Sequence, residues 1–182
     1  MNAAGGVEVV YYVASSVDGY LAPADGSLDW LSAFEASSDD YGYAEFYASV
    51  DAVVLGSKTY EQVFGFDAWP YAGKRVVVMS SRDLPKATDE VVVDSGSPAA
   101  VVEDLKSQGV RRVWLVGGGE LAGAFQREGL ITEYIISVIP VVMGSGRGVF
   151  GCHGGFERLE LVGTRAYAEG IVQLTYRTPL DA

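Results

Sequence analysis

The sequence has one cysteine, Cys152, so no internal disulfide can form, which suits a reducing cytoplasm. It also has one histidine, His153, beside that cysteine, and one of each is too few for a metal centre. Sequence neighbours in a glycine-rich loop rarely form a nucleophile–base dyad, so a solvated loop is expected there, with a reactive Cys152 as the rival. Cations are scarce. Thirteen Lys and Arg against 24 Asp and Glu leave a net charge of −11 and no surplus to neutralise a nucleic-acid backbone. An anionic cofactor needs local groups that override this global field. Long apolar runs are missing too: Val7 to Ala14 is interrupted by Glu8, and such a run is too short to span a bilayer. No basic-then-apolar leader opens the sequence, and no repeat, linker or low-complexity segment interrupts it.

What is present is a chain of 182 residues, nearly half of them apolar, enough for one domain with a sizeable core. Residues 1–6 read as a loose tail, and residues 7–182 as the single domain. Strands are expected at Val7–Ala14, Asp51–Leu55, Lys74–Met79, Glu90–Asp94, Val113–Val116, Thr132–Met143, Phe156–Thr164 and Ile171–Arg177. Between them lie helical patterns. One holds Tyr43, Phe46, Tyr47 and Val50 behind the polar interval Ser37–Asp40, and another opens on the capping box Thr59-Tyr60-Glu61-Gln62. A third starts with Ser97 as cap and Pro98 in the first turn and closes at Gly109. Strands alternate with helices early and dominate late. That order implies an α/β fold, a mostly parallel sheet flanked by helices with antiparallel strands at one edge.

The densest signal is Val113 to Phe125. A buried strand runs into Gly117-Gly118-Gly119, and then Leu121, Ala124 and Phe125 fall at helical spacing, with Gly129 placed to cap that helix. Strand, glycine turn and helix together hold anions, because glycines admit a ligand to the backbone and the first helical N–H groups point at it. The alternative is a tight turn that binds nothing. Gly117, Gly119 and Ala122 satisfy G-x-G-x-x-G/A, yet the motif lies past mid-chain and no acidic residue ends the next strand, which argues against the ordinary dinucleotide fold. Two further loops at strand ends favour anions. Gly56-Ser57-Lys58-Thr59 offers a cation and a helix start, and Ser80-Ser81-Arg82 offers hydroxyls and a guanidinium. Each alone reads as ordinary capping and surface charge. Jointly, at the carboxyl ends of parallel strands, they suit a ligand with several phosphates.

Ala14-Ser15-Ser16-Val17-Asp18-Gly19-Tyr20-Leu21-Ala22, Leu55-Gly56-Ser57-Lys58-Thr59-Tyr60-Glu61, Val78-Met79-Ser80-Ser81-Arg82 and Val116-Gly117-Gly118-Gly119-Glu120-Leu121 occur in the order of the dihydrofolate reductase-like fold. Over nearly its whole length the chain resembles single-domain relatives of the C-terminal reductase domain of the riboflavin-biosynthesis deaminase/reductase. The resemblance implies an eight-stranded sheet, NADPH as hydride donor, a small heterocyclic substrate and a homodimer. Pteridine-like rings and 5-amino-6-(5-phosphoribosylamino)uracil are the substrates it suggests. The zinc-deaminase signature is absent, so the likeness is to the reductase half only.

Carried over residue by residue, the resemblance implies that Ala14 lines the nicotinamide pocket and that Gly56, Ser57, Lys58 and Thr59 hold the pyrophosphate. It implies Ser80, Ser81 and Arg82 around the 2′-phosphate and adenosine, Gly117, Gly118, Gly119, Glu120 and Leu121 around the diphosphate, and a cis peptide between Gly117 and Gly118. Asp18, Leu21 and Trp30 fall on the substrate side. Ser57 stands where relatives commonly carry arginine, leaving Lys58 or Arg82 for the 2′-phosphate. Val116 stands where riboflavin-pathway reductases usually carry glutamate. The proton donor it implies is Asp40, which precedes Gly56 by the family's interval. A carboxyl in an apolar pocket has a raised pKa and can donate a proton. Asp39 and Asp40 as helix caps, and Asp18 as a turn residue, are the competing expectations. A non-catalytic nucleotide- or metabolite-binding protein of the same fold is the alternative function.

Overall fold

The computed structural model describes residues 6–35, 39–151 and 155–179. The expected tail, Gly6 apart, and the Cys152–His153 pair lie outside these residues. Eight strands form one sheet: β1 (Glu8–Ser16), β3 (Ala52–Gly56), β4 (Arg75–Met79), β5 (Val91–Asp94), β6 (Arg112–Gly117), β7 (Glu133–Ile139), β9 (Glu160–Ala166) and β10 (Val172–Arg177). Their order is β5-β4-β3-β6-β1-β7-β10-β9. The first six in that order run parallel, and β10 and β9 add antiparallel pairs at one edge, as the alternation of helical and strand patterns implies.

The parallel strands are buried on both faces because helices cover both. On one face Val9, Tyr11, Val54, Val113 and Leu115 pack under α4 (Pro98–Ser107) and α5 (Gly119–Arg127). On the other, Val10, Val53, Leu55 and Trp114 pack under α2 (Tyr43–Ser49) and α3 (Ser57–Phe64). Val9, Val10, Val53 and Leu55 expose nothing to solvent, so each contributes on the order of 1.5–3 kcal/mol of burial. Trp114 is the hub of the second face. Its ring meets Phe46 edge-on at 5.5 Å and Tyr71 at 5.8 Å, and its indole N–H donates to the Tyr12 carbonyl at 3.0 Å. At the amino end of β7, buried Glu133 is held by Arg112 at 2.8 Å and Arg177 at 3.2 Å. That pairing staples β6, β7 and β10 together.

Four local expectations change. The Thr59–Gln62 capping box is not made: β3 runs directly into α3, whose cap is Gly56, and the Gln62 amide instead donates to the Gly26 carbonyl at 2.8 Å. Strand β7 ends at Ile139, since Pro140 lacks the N–H that would continue its ladder. Strand β9 starts at Glu160 rather than Phe156, which is exposed coil. A small second sheet, β2 (Tyr20–Ala22) against β8 (Arg147–Gly148), has no counterpart among the expected strands. It folds the 144–151 segment back over the ends of β1 and β6. Helix α4 follows the sequence closely: Ser97 Oγ accepts from the Ala100 N–H, Pro98 sits in the first turn, and Gly109 has φ +81°.

Candidate functional site

Strands β3, β4 and β6 all end at one rim of the sheet, and a cleft of about 660 Å³ opens there. Gly56, Ser57, Lys58 and Thr59 line one wall, and Gly118, Gly119, Glu120 and Leu121 line the other, with Met79 between. Two of the three anion-favouring loops therefore share a cleft. The third adjoins it: Ser80 follows Met79 and its Oγ accepts from the Arg82 N–H at 3.0 Å. Arg82 itself forms a 2.8 Å ion pair with Glu61 of α3, exposed on both sides.

The two helices that start in the cleft differ from α4 in one respect. Gly56 caps α3 and Gly118 caps α5, and neither terminus has a side-chain cap. Glycine has nothing to offer the first-turn N–H groups, so both helix ends present free donors and partial positive charge to the same space. The backbone leaves room for a ligand as well. A β-carbon at Gly118 would meet only Thr59 Oγ1 at 3.6 Å, and one at Gly56 only the Gly117 carbonyl at 3.7 Å and Leu121. Gly117 has φ +104°, and the Gly117–Gly118 peptide is cis, as the resemblance implies. Gly119 has a different reason to be glycine. Its carbonyl accepts from the Gly151 N–H at 2.8 Å, and a β-carbon there would run into the Gly148 carbonyl. That glycine is demanded by chain packing.

Sequence reasoning missed the third wall. Gly146, Arg147, Gly148 and Gly151 close the cleft from above, bringing a second cation beside Lys58. The Arg147 guanidinium lies against Gly26, where a β-carbon would sit 2.8 Å from Cζ. Tyr11 anchors this segment by donating from its buried hydroxyl to the Val149 carbonyl at 2.6 Å, and burial pushes its pKa well up. The glycine-rich run from Gly144 to Gly148 was the available signal. Its pairing with Tyr20–Ala22 depends on contacts more than a hundred residues apart.

A second cavity, about 430 Å³, lies on the α2 face of the sheet. Ala14 of β1 and Trp114 of β6 are in its wall, and β6 links it to the cleft, since Gly118 is four residues on from Trp114, about 13 Å at a strand's rise. Its other walls include Tyr12, Tyr43, Phe34 and Ser137. Gln173, which is not itself in the wall, ties three wall residues together, donating from one amide nitrogen towards Tyr12 Oη at 3.2 Å, Ser137 Oγ at 3.2 Å and the Tyr41 carbonyl at 3.4 Å. Burial raises the pKa of Tyr12, so its phenol stays protonated, and pushes that of Tyr43 up to about 12. Trp30 packs beside this cavity with Leu31 and Phe34, and its buried indole N–H has no acceptor among the described residues.

Asp40 stands at the mouth of this cavity, but not as a buried acid. It is exposed, and its carboxylate accepts from the Ala44 N–H at 2.9 Å and the Gly42 N–H at 3.0 Å. Those backbone bonds, chiefly the one from Ala44, hold its pKa below the ordinary carboxylate value. The capping expectation describes it; the condition for a raised pKa is not met. Asp18 is a turn organiser, accepting from Ser16 Oγ at 2.6 Å, Gly144 N at 2.6 Å and Met143 N at 3.0 Å. Leu21, on β2, packs against the α5-side core and lines neither cavity. Among the described residues no cluster of three His, Cys, Asp or Glu could hold a metal, and no helix is long and apolar enough to cross a membrane.

The chain is similar to known proteins over nearly its full length. It is 38% identical over 170 residues to the uncharacterized protein YwjB of Bacillus subtilis, covering 93% of this chain and 97% of that one. A crystal structure from Shewanella sp. PV-4, of a protein provisionally named for riboflavin biosynthesis, superposes with a TM-score of 0.87 at 28% identity, covering 95% of this chain and 99% of that chain. The Thermotoga maritima diaminohydroxyphosphoribosylaminopyrimidine deaminase/5-amino-6-(5-phosphoribosylamino)uracil reductase superposes at a TM-score of 0.76 and 14% identity. This chain covers 57% of that protein and 96% of itself in the match, and the likeness there is one of fold. The model of the RibD C-terminal domain matches residues 7–173, and with the cleft, the sheet order and these relatives it establishes that the chain belongs to the RibD C-terminal domain family, with the dihydrofolate reductase-like fold.

Proposed function

We propose that this protein is an NADPH-dependent reductase that passes hydride to a small heterocyclic ring. The observation that carries the proposal is the pair of uncapped helix starts, at Gly56 and Gly118, facing one cleft beside an aromatic cavity. The residues fit the cofactor. First-turn N–H groups of α3 and α5 would take the diphosphate, with Lys58 and Arg147 offsetting its charge. Arg82, whose exposed pair with Glu61 is weak, is available to a 2′-phosphate in exchange. Bound there, the dihydronicotinamide supplies the hydride. Ala14 would bound the ring where β1 meets the cavity, and the walls of Tyr12, Tyr43 and Trp114 would hold the acceptor flat and exclude water.

Titrating NADPH into the pure protein tests this. A rise in melting temperature that grows with cofactor concentration is expected, larger for NADPH than for NADH, and diminished in Lys58→Ala and Arg147→Ala. No shift at millimolar NADPH would remove the proposal. One observation favours a second reading, a binding protein that does not turn its ligand over: neither Asp40 nor Asp18 has the surroundings of a neutral acid. NADPH binding without oxidation across dihydrofolate, dihydropterins and the riboflavin intermediate would select it. We also propose a homodimer formed through the β10–β9 edge, where Leu161, Val162 and Val172 are exposed.

A further inference from the structure

The cavity on the α2 face differs from the cofactor cleft in its charge. The cleft holds Lys58 and Arg147; no lysine or arginine is among the described residues that line the cavity. Its charged wall residues are two carboxylates, Asp39 and Asp40, both exposed at the mouth. Asp40 is fixed in its ionised form by the Ala44 and Gly42 N–H groups, and Asp39 Oδ1 accepts from the Tyr41 N–H at 2.8 Å. The cation near this mouth, Arg165, is already engaged: its guanidinium lies 4.7 Å over the Tyr167 ring, and its charge acts on Asp40. Two carboxylates against one arginine leave the mouth net negative, so a phosphate entering here would meet like charge.

What the cavity does offer suits an uncharged flat ring. Tyr12 and Trp114, tilted at 41° with centroids 6.3 Å apart, give aromatic surface. The Tyr12 and Ser137 hydroxyls, both oriented by the Gln173 amide, give a polar edge with donors and acceptors. The Gln173 amide donates to both oxygens and the Ser137 hydroxyl bonds to Tyr12, which leaves the Tyr12 proton for a carbonyl or ring nitrogen. A volume of about 430 Å³ is ample for a bicyclic ring.

We infer that the ring acceptor of this protein carries no phosphate: a neutral or cationic heterocycle, held between the Tyr12–Trp114 wall and the Tyr12–Ser137 edge, with Asp39 and Asp40 at the mouth turning phosphorylated rings away. The inference rests on the reductase proposal for the same site, but its test does not need the cofactor. Calorimetric titration of the full chain without NADPH would compare 5-amino-6-(5-phosphoribosylamino)uracil, the same compound with its phosphate removed, and a dihydropterin. The two phosphate-free rings are expected to bind, and the phosphorylated one about tenfold or more weaker, with a gap that narrows at high salt. Asp39→Asn keeps the oxygen that accepts from Tyr41 while removing a charge, and is expected to reduce the gap. Tyr12→Phe keeps the wall and removes one hydroxyl, and is expected to weaken all three rings by a similar factor. Equal or tighter binding of the phosphorylated ring, or no binding of either phosphate-free ring at millimolar concentration, would overturn the inference. An unchanged gap in Asp39→Asn would overturn the role given to the mouth. If the rings bind as expected and NADPH does not, the reductase proposal fails while this one stands. If NADPH binds and the rings do not, the reverse holds.

Discussion

Asp18 shows how one side chain ties distant turns together. Its carboxylate receives hydrogen bonds from Ser16, Met143 and Gly144, and these, led by the Ser16 hydroxyl, lower its pKa from 3.8 to about 2. A depressed folded-state pKa stabilises the protein above the unfolded value, and the contribution is lost as pH falls through the folded value. The expected outcome is that Asp18→Asn melts below the wild type at neutral pH. The difference should close between pH 3.8 and about 2, as thermal melts across that window would show. A difference that widened towards acid would contradict the assignment. Asp40, exposed and likewise lowered by backbone donors, belongs with Asp18 as a structural anion. The tyrosines of the second face behave oppositely: burial raises Tyr12 and Tyr43, keeping neutral hydroxyls where a substrate ring would lie.

At the scale of the element, the contrast among three helix starts matters most. Helix α4 has Ser97 as a side-chain cap, while α3 and α5 have glycine and none. Side-chain caps stabilise a helix, so two helix starts without one leave first-turn N–H groups that the proposed cofactor would satisfy. Gly56 has φ −81° and ψ 161°, backbone suited to any capping residue. In Gly56→Asp the carboxylate should cap α3 and place a negative charge in the cleft. Stability is expected to hold or rise by a few tenths of a kcal/mol, while NADPH affinity falls about tenfold or more. Chemical denaturation and cofactor titration on one preparation would read both signs. A variant that binds NADPH as well as the wild type would mean that the α3 start does not face the cofactor.

For the whole molecule, the two ends of the sheet are unequal. Edge strand β5 is short and exposes one apolar side chain, Val92, whereas β9 is exposed along nearly its whole length and adds Leu161 and Val162 to the surface. Val162 is the extra residue of a bulge opposite Thr175 and Tyr176, a device that blunts strand-to-strand aggregation without hiding apolar side chains. Sedimentation at micromolar concentration is expected to give a dimer, and Leu161→Asp a monomer that keeps its fold. A monomeric wild type would end the dimer proposal.

The sequence by itself determined the sheet and the positions of the anion-favouring turns. Short apolar runs rich in β-branched residues and bounded by turn signals, such as Val53-Val54-Leu55 and Val113-Trp114-Leu115, read as strands covered on both faces, and Ser97-Pro98 and Gly109 mark a helix through local backbone chemistry. Local rules failed where a partner lies far along the chain. Gln62 leaves its capping box for Gly26, Asp40 turns its carboxylate to its own helix start, and Arg147 enters the cleft because β8 pairs with β2. Only the tertiary structure decided that Gly119 serves the 148–151 segment, that two glycine-capped helices face one space, and that the second cavity has acid at its mouth and no cation in its described walls. Periodicity records what a residue does with its near neighbours, whereas a binding site is made of residues that meet only after the chain has closed on itself.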